Sequence, residues 1–304
     1  MTTILIGTDL SEQAHHAATF AARLAAPLGD GNNSTHLLAV RVVGLEELNT
    51  RQIISQREAN PELDAARQEV EEWMATIDTR GLTVEVEVHV GSPAPKLAEI
   101  ARETNADFLV VGQSGKGRLA RTFLGTTAEH LALDPPCQLA IVDSDGYDWD
   151  KPMKTISALD LGPSASNAMV TGARLAAHQG GELTLLHILE LPRMSTGIAD
   201  TAALPQTLAT HIEDNSEWAQ NEIDTIISER LPDTEGFDLD VEIRPGYPSH
   251  EILFMIEDQQ ATLLTMGTQK RSRLSRFFMG SVGRGVIKHT PCTTIVAPPV
   301  TDDE

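Results

Sequence analysis

Apolar residues in this chain fall in short continuous runs, separated by stretches with helical spacing. Residues 3–8, 36–43 and 108–111 are apolar-biased blocks of strand length, as expected for strands buried on both faces of a parallel sheet. Residues 83–90 alternate Val with Glu and His and predict a strand with one wetter face, and residues 139–142 predict a last strand. Between the runs lie helical patterns. Ser11 is a fair N-cap for an Ala-rich helix running to about residue 24 and stopped near Pro27 and Gly29. An irregular stretch over 44–61 precedes a charged amphipathic helix to about residue 79, and helices are predicted over 93–104 and 126–132. The same order recurs in the second half, with strands at 155–159, 183–189, 239–244, 263–266 and 293–297. The helical patterns there cover 164–178, about 208–231, 250–258 and 282–288. Strands alternating with helices predict open parallel sheets covered on both faces. Right-handed crossovers then gather the loops that leave the strands along one carboxyl edge, where ligands bind in such sheets.

The repetition extends to individual residues. Gly112-Gln-Ser-Gly115 is followed, after nine residues, by Gly125-Thr126; Gly267-Thr-Gln-Lys270 is followed, after nine, by Gly280-Ser281. Each copy leads on to Pro-Cys, at Pro136-Cys137 and Pro291-Cys292. Asp9 has a partner in Asp160, Ala-Arg-Leu-Ala-Ala occurs at 22–26 and 173–177, and Gly91-Ser-Pro93 matches Gly246-Tyr-Pro248. A period of about 150 residues is too long for a solenoid and fits one whole domain per copy. The expected domains are 1–146 and 152–300, with the polar segment 143–154 as their boundary.

Composition narrows the class. Aromatics make up only 4% of the chain, so its cores must be built from Ala, Leu, Ile and Val. No apolar run approaches the length of a membrane span, and the first residues lead straight into a strand without the basic start of a signal peptide. The two cysteines sit at matching positions and read as buried thiols of a reducing compartment, so the expected location is the cytoplasm. A net charge of −21 argues for solubility, fits a salt-tolerant source, and argues against nonspecific nucleic-acid binding. The local exception is basic. Lys270, Arg271, Arg273, Arg276, Arg284 and Lys288 follow the second glycine element without an acid among them, and Lys116, Arg118 and Arg121 follow the first.

A glycine-punctuated loop between a strand and a helix suits phosphate, because backbone N–H groups approach an anion closely and a helix N-terminus favours negative charge. A single Gly-x-x-Gly is also an ordinary turn; two copies with one spacing, each beside basic residues, favour phosphate. Asp9 and Asp160 end first strands at the ligand edge. Each can hold a ribose hydroxyl or an adenine amino group, and each can equally cap the helix that follows. Thr126 and Ser281 can be plain N-caps or can also donate to a phosphate oxygen. The Walker spacing fails, since position 110 is Val and position 117 is Gly. No Gly-x-Gly-x-x-Gly follows the first strand, no Ser stands in a nucleophile elbow, and His15 and His16 face different ways on their helix. No general acid, base or nucleophile constellation emerges.

The Gly-2x-Gly-9x-Gly-Ser/Thr element, the strand-ending Asp and the Pro-Cys before the last strand resemble the universal stress protein family, twice over nearly the whole chain. The resemblance implies an α/β fold of two tandem open parallel five-stranded sheets, adenine nucleotide alpha hydrolase-like, with helices on both faces. It implies antiparallel pairing of the last strands into an intramolecular pseudo-dimer, with room for a further homodimer. Some members of the family bind ATP, which normally brings magnesium. Carried over by position, Asp9 would contact the nucleoside and the backbone at Val42 would meet adenine. Gly112, Gly115, Gly125 and Thr126 would hold ribose and phosphates. The second-copy matches are Asp160, Ile188, Gly267, Gly280 and Ser281, with Lys270 departing from the pattern where a second glycine is expected. The expectation is a stress-response regulator that binds ATP at least in the first domain and acts on a protein partner still to be identified. The alternatives are a scaffold or interaction protein without nucleotide, a binder of another small ligand, or a slow ATPase.

Overall fold

The structure is a computed structural model and describes residues 1–28, 35–44, 61–114, 124–162, 165–191, 206–231, 235–268 and 279–298. In the first half β1 (Thr2–Thr8), β2 (Thr35–Val43), β3 (Val84–Val90), β4 (Phe108–Gly112) and β5 (Gln138–Val142) alternate with α1 (Glu12–Leu28), α2 (Pro61–Met74), α3 (Pro93–Glu103) and α4 (Thr126–Leu133). The second half repeats them as β6 (Lys154–Leu159), β7 (Glu182–Glu190), β8 (Asp238–Gly246), β9 (Leu263–Gly267) and β10 (Thr293–Ala297). Its helices are α5 (Ala165–Gln179), α6 (Gln206–Arg230), α7 (Pro248–Gln259) and α8 (Ser281–His289). The segments 45–60 and 192–205, and the loops carrying Gly115 and Lys270, lie outside the described residues.

All ten strands form one sheet in the order β3-β2-β1-β4-β5-β10-β9-β6-β7-β8. Neighbours are parallel within each half, as the continuous apolar runs require. The exception is the seam, where β5 and β10 pair antiparallel with Ala140 opposite Ile295. Each half is therefore wound in both directions from its first strand, and the direction changes between β1 and β4 and between β6 and β9.

The core runs through the seam on both faces. On the side of α3, α4, α7 and α8, Leu109, Leu139 and Leu131 of the first half join Leu264, Val286 and Val296 of the second. On the other side Phe20, Val110 and Ala140 join Leu175, Leu263 and Ile295. Under α5 this second layer is interrupted. Thr155, Ser157 and Thr265 are buried there, and the Ser157 and Thr265 hydroxyls lie 2.5 Å apart. The matching strand positions of the first half are Ile4, Ile6 and Val110. Apolar packing beyond this hydroxyl layer forms a separate cluster around Met169, Leu185 and Ile223.

The segment between the halves is less polar in its role than in its composition. Tyr147 and Trp149 stack edge to face, 4.6 Å between centroids, and both lie on Phe20 of α1. The Arg23 guanidinium sits over the Trp149 ring, His16 Nδ1 meets the Ser144 carbonyl at 3.0 Å, and the Tyr147 hydroxyl lies 3.4 Å from Thr262 of the second half. The segment is a strap across the seam.

Candidate functional site

The direction change between β1 and β4 opens a crevice at the carboxyl ends of the strands, the place where ligands sit in sheets of this kind. A cavity of about 370 Å³ occupies it. Its walls come from four connections. Gly7 and Thr8 end β1 and Asp9 follows it, Val40, Arg41 and Val42 lie near the end of β2 before Val43, Pro93 and Leu97 start α3, and Val111, Gly112 and Ser114 leave β4 toward Gly125–Ala128 at the start of α4.

The β1–α1 connection is built on its acid. Asp9 Oδ1 accepts the Ser11 backbone N–H at 3.0 Å, Thr8 Oγ1 accepts that of Leu10 at 3.0 Å, and Leu10 takes a left-handed φ of 62°. Ser11 then caps α1, its hydroxyl accepting the Ala14 N–H. The second half repeats the acid turn: Asp160 Oδ1 accepts the Gly162 N–H at 3.0 Å, and Leu161 has φ 57°. Both aspartates therefore shape a turn, and Asp9 also lines the cavity. Asp9 is half-buried whereas Asp160 is exposed.

The β4–α4 connection is pinched at its neck. Gln113 takes its backbone N–H to Val142, and its carbonyl accepts the Gly125 N–H at 2.7 Å. The chain thus leaves at Ser114 and returns at Gly125 beside its own starting point. A Cβ on Gly125 would lie 3.2 Å from the Gln113 carbonyl oxygen and 3.3 Å from Ser114 Cα. Gly112 is tighter still, because a Cβ there would stand 2.9 Å from the Gln13 carbonyl oxygen of α1. Backbone approaching backbone leaves no room for a side chain at Gly112 and little at Gly125, and neither has positive φ. Gly125 caps α4 without a side-chain cap, so the first-turn N–H groups of Thr126, Thr127 and Ala128, three residues that line the cavity, have no intrahelical acceptor.

Two charged side chains line the cavity among the described residues, Asp9 and Arg41. The Arg41 guanidinium is held from behind by Glu69 of α2. The site thus has an acceptor end, formed by Asp9 and the end of β2, and a donor end, formed by the N-terminus of α4. Chemically it can hold a ligand with hydroxyl or amino donors at one end and an anion at the other.

Of the residues singled out in the sequence, Asp9, Val42, Gly112, Gly125 and Thr126 come together around this one cavity. Gly115 lies outside the described residues. In the second half Gly267 ends β9, Gly280 caps α8 and Ser281 is its first residue, while Ile188 ends toward the same edge on β7. Pattern reading passed over Thr8, Leu97, Ser114 and Thr127. Thr127 was within reach, since it follows Thr126 at the same helix start. Leu97 was not, because nothing in a helical apolar residue marks it as cavity wall.

A model of the universal stress protein family matches residues 1–143 and again 153–298. A universal stress protein of Mycolicibacterium smegmatis is 24% identical over 302 residues, covering 97% of both chains. The universal stress protein Rv2005c of Mycobacterium tuberculosis is 26% identical over 226 residues, 72% of this chain and 70% of its own. The crystal structure of a universal stress protein from Archaeoglobus fulgidus superposes with a TM-score of 0.64 at 20% identity, covering 97% of this chain and 98% of that one.

Proposed function

The chain belongs to the universal stress protein family in both halves, and from that premise we propose that it is a stress-response regulator that binds ATP in the first cleft. The observation that carries this reading is the cavity at the β1–β4 crevice, with Asp9 and the end of β2 at one end and the uncapped N-terminus of α4 at the other. A nucleoside phosphate has the matching polarity. Asp9 accepts from a ribose hydroxyl or the adenine amino group, and the Val42 backbone meets the adenine edge. Gly112, Gly125 and Thr126 face ribose and phosphates, and Gly115 belongs to the same glycine element. Magnesium would arrive on the phosphates with much of its water shell.

Binding rather than turnover suits the groups on hand. One Asp9 oxygen is engaged by the Ser11 N–H and the Arg41 guanidinium is engaged by Glu69, so neither is presented as a mobile proton carrier. Nucleotide would act by changing how the paired halves meet a protein partner. No helix among the described residues is long and apolar enough to cross a membrane. The free, buried thiols of Cys137 and Cys292 suit work in the cytoplasm.

Ligand-linked stability tests the reading. At a hundredfold excess over its Kd, ATP with magnesium should stabilise the chain by about 2.7 kcal/mol, seen as a higher melting temperature. Gly125→Leu pushes a side chain between the two limbs of the loop and should lose that shift. A well-folded wild-type chain whose melting temperature ignores ATP would sink the proposal.

A further inference from the structure

The second half reproduces the backbone of the first cleft and carries larger side chains along its floor. Pairing registers place β1, β2 and β4 at the positions of β6, β7 and β9. Gly7, Val40 and Val111 line the first cavity; their counterparts are Ala158, Leu186 and Met266. Leu124, just before Gly125, becomes Met279 before Gly280. Each replacement is longer or carries an added carbon, and all four belong to or pack against the core under α7 and α8.

The geometry shows where the added bulk goes. Gly283 stands on the first turn of α8, where α4 has the cavity-lining Ala128. A Cβ on Gly283 would lie 2.6 Å from Met279 Cγ and 3.4 Å from Met266 Cε. Both methionines therefore reach beneath the helix start that would receive phosphate, and the chain gives up a methyl group there to admit them. Flexible, unbranched thioethers are suited to filling such an irregular space. At the rim, Thr8, whose hydroxyl accepts the Leu10 N–H, is replaced by Leu159, which packs under α5 with Ala165 and Met169 and leaves no hydroxyl at the cleft. Asp160 faces solvent where Asp9 is half-buried.

We infer that the second cleft is filled by the chain's own side chains, so that each chain takes one nucleotide, at the first cleft. This rests on the nucleotide reading above and assigns the halves different work. The first carries the ligand. The second supplies the partner strand β10 and half of the seam core, in a form that does not depend on ligand. Binding should follow a simple one-site curve, because there is no second nucleotide to couple to.

Isothermal titration of the full chain with ATP and magnesium counts the sites, beside the variant Thr126→Glu. Thr126 is exposed, and an acid in the first turn favours a helix N-terminus, so this variant should fold. Its carboxylate occupies the place of the phosphate and should weaken binding by about tenfold or more, roughly 1.4 kcal/mol. The expected result is one equivalent per wild-type chain, and in the variant the same single site bound about tenfold or more weakly. Two equivalents in the wild type, or one equivalent of undiminished affinity in Thr126→Glu, would overturn the one-site inference and leave the nucleotide reading standing. A folded wild-type chain that binds none would overturn both.

Discussion

Asp9 shows how one side chain can serve both fold and site. Leu10 stands in the left-handed region, which costs a non-glycine residue about 1 kcal/mol, and the Asp9 oxygen that takes the Ser11 N–H offsets that cost. Asp9→Asn keeps an acceptor at Oδ1 and should lose little stability. Asp9→Ala leaves the Ser11 N–H without it and should lose about 1 kcal/mol in urea unfolding. Equal losses in both variants would mean that the carboxylate charge, not the acceptor, holds the turn. The two cysteines make a prediction of opposite character. Burial pushes the thiols of Cys137 and Cys292 up to about 12 from 9.0. A raised folded value means that the folded chain keeps a proton the unfolded chain gives up. Their contribution is therefore intact below about pH 9 and is lost as pH climbs toward 12. Stability should fall above pH 9 by up to about 1.4 kcal/mol per pH unit for each thiol. A Cys137→Ala, Cys292→Ala double variant whose alkaline slope matches the wild type would refute this. Asp9 and the cysteines could be picked out in the sequence because each recurs in the second copy. The packing reason for Gly112 could not, since it depends on the Gln13 carbonyl, far away in sequence.

Among the elements, the strands were the most legible, because an apolar run in a parallel sheet begins and ends with its burial. The end of α2 was not. The charged pattern continues to about residue 79, but the helix stops at Met74. Its last turn tightens there, with the Thr76 and Ile77 N–H groups reaching back three residues and the Thr76 hydroxyl bonding the Trp73 carbonyl. A side chain competing for a helix carbonyl leaves no mark on hydrophobic periodicity. The strap was missed for a related reason. Its acids and glycine read as a boundary, while its two aromatic rings gain meaning only against Phe20. Trp149→Ala removes contacts with Phe20, Tyr147 and Arg23 and should cost about 1–3 kcal/mol. The loss should appear as one transition at lower denaturant, because the strap joins halves that already share a core. A new early transition, with one half melting first, would show that the strap rather than the seam couples them.

At the scale of the whole molecule the seam sets the terms. A ten-stranded sheet with shared core on both faces cannot relieve charge repulsion by letting its halves drift apart. Its net charge of −21 must be borne by one body. The outer edge strands add to the load, with Glu85 and Glu87 on β3 and Asp238, Asp240 and Glu242 on β8. Charges on an edge discourage further strand pairing, so they protect the sheet from growth while they strain its stability. Salt separates these two effects. Raising sodium chloride from 0.1 M to 1 M shortens the screening length from about 10 Å to about 3 Å, which removes repulsion between acids on different elements but leaves the buried core untouched. The melting temperature should therefore rise over that range, with most of the gain at the low end, where screening changes fastest. Reversing the charge of edge acids, as in Glu85→Lys with Asp240→Lys, should raise the melting temperature at 0.1 M and shrink the further gain from salt. A melting temperature that is flat or falling between 0.1 M and 1 M would mean that the acidic surface is already balanced locally and that the seam carries no electrostatic load.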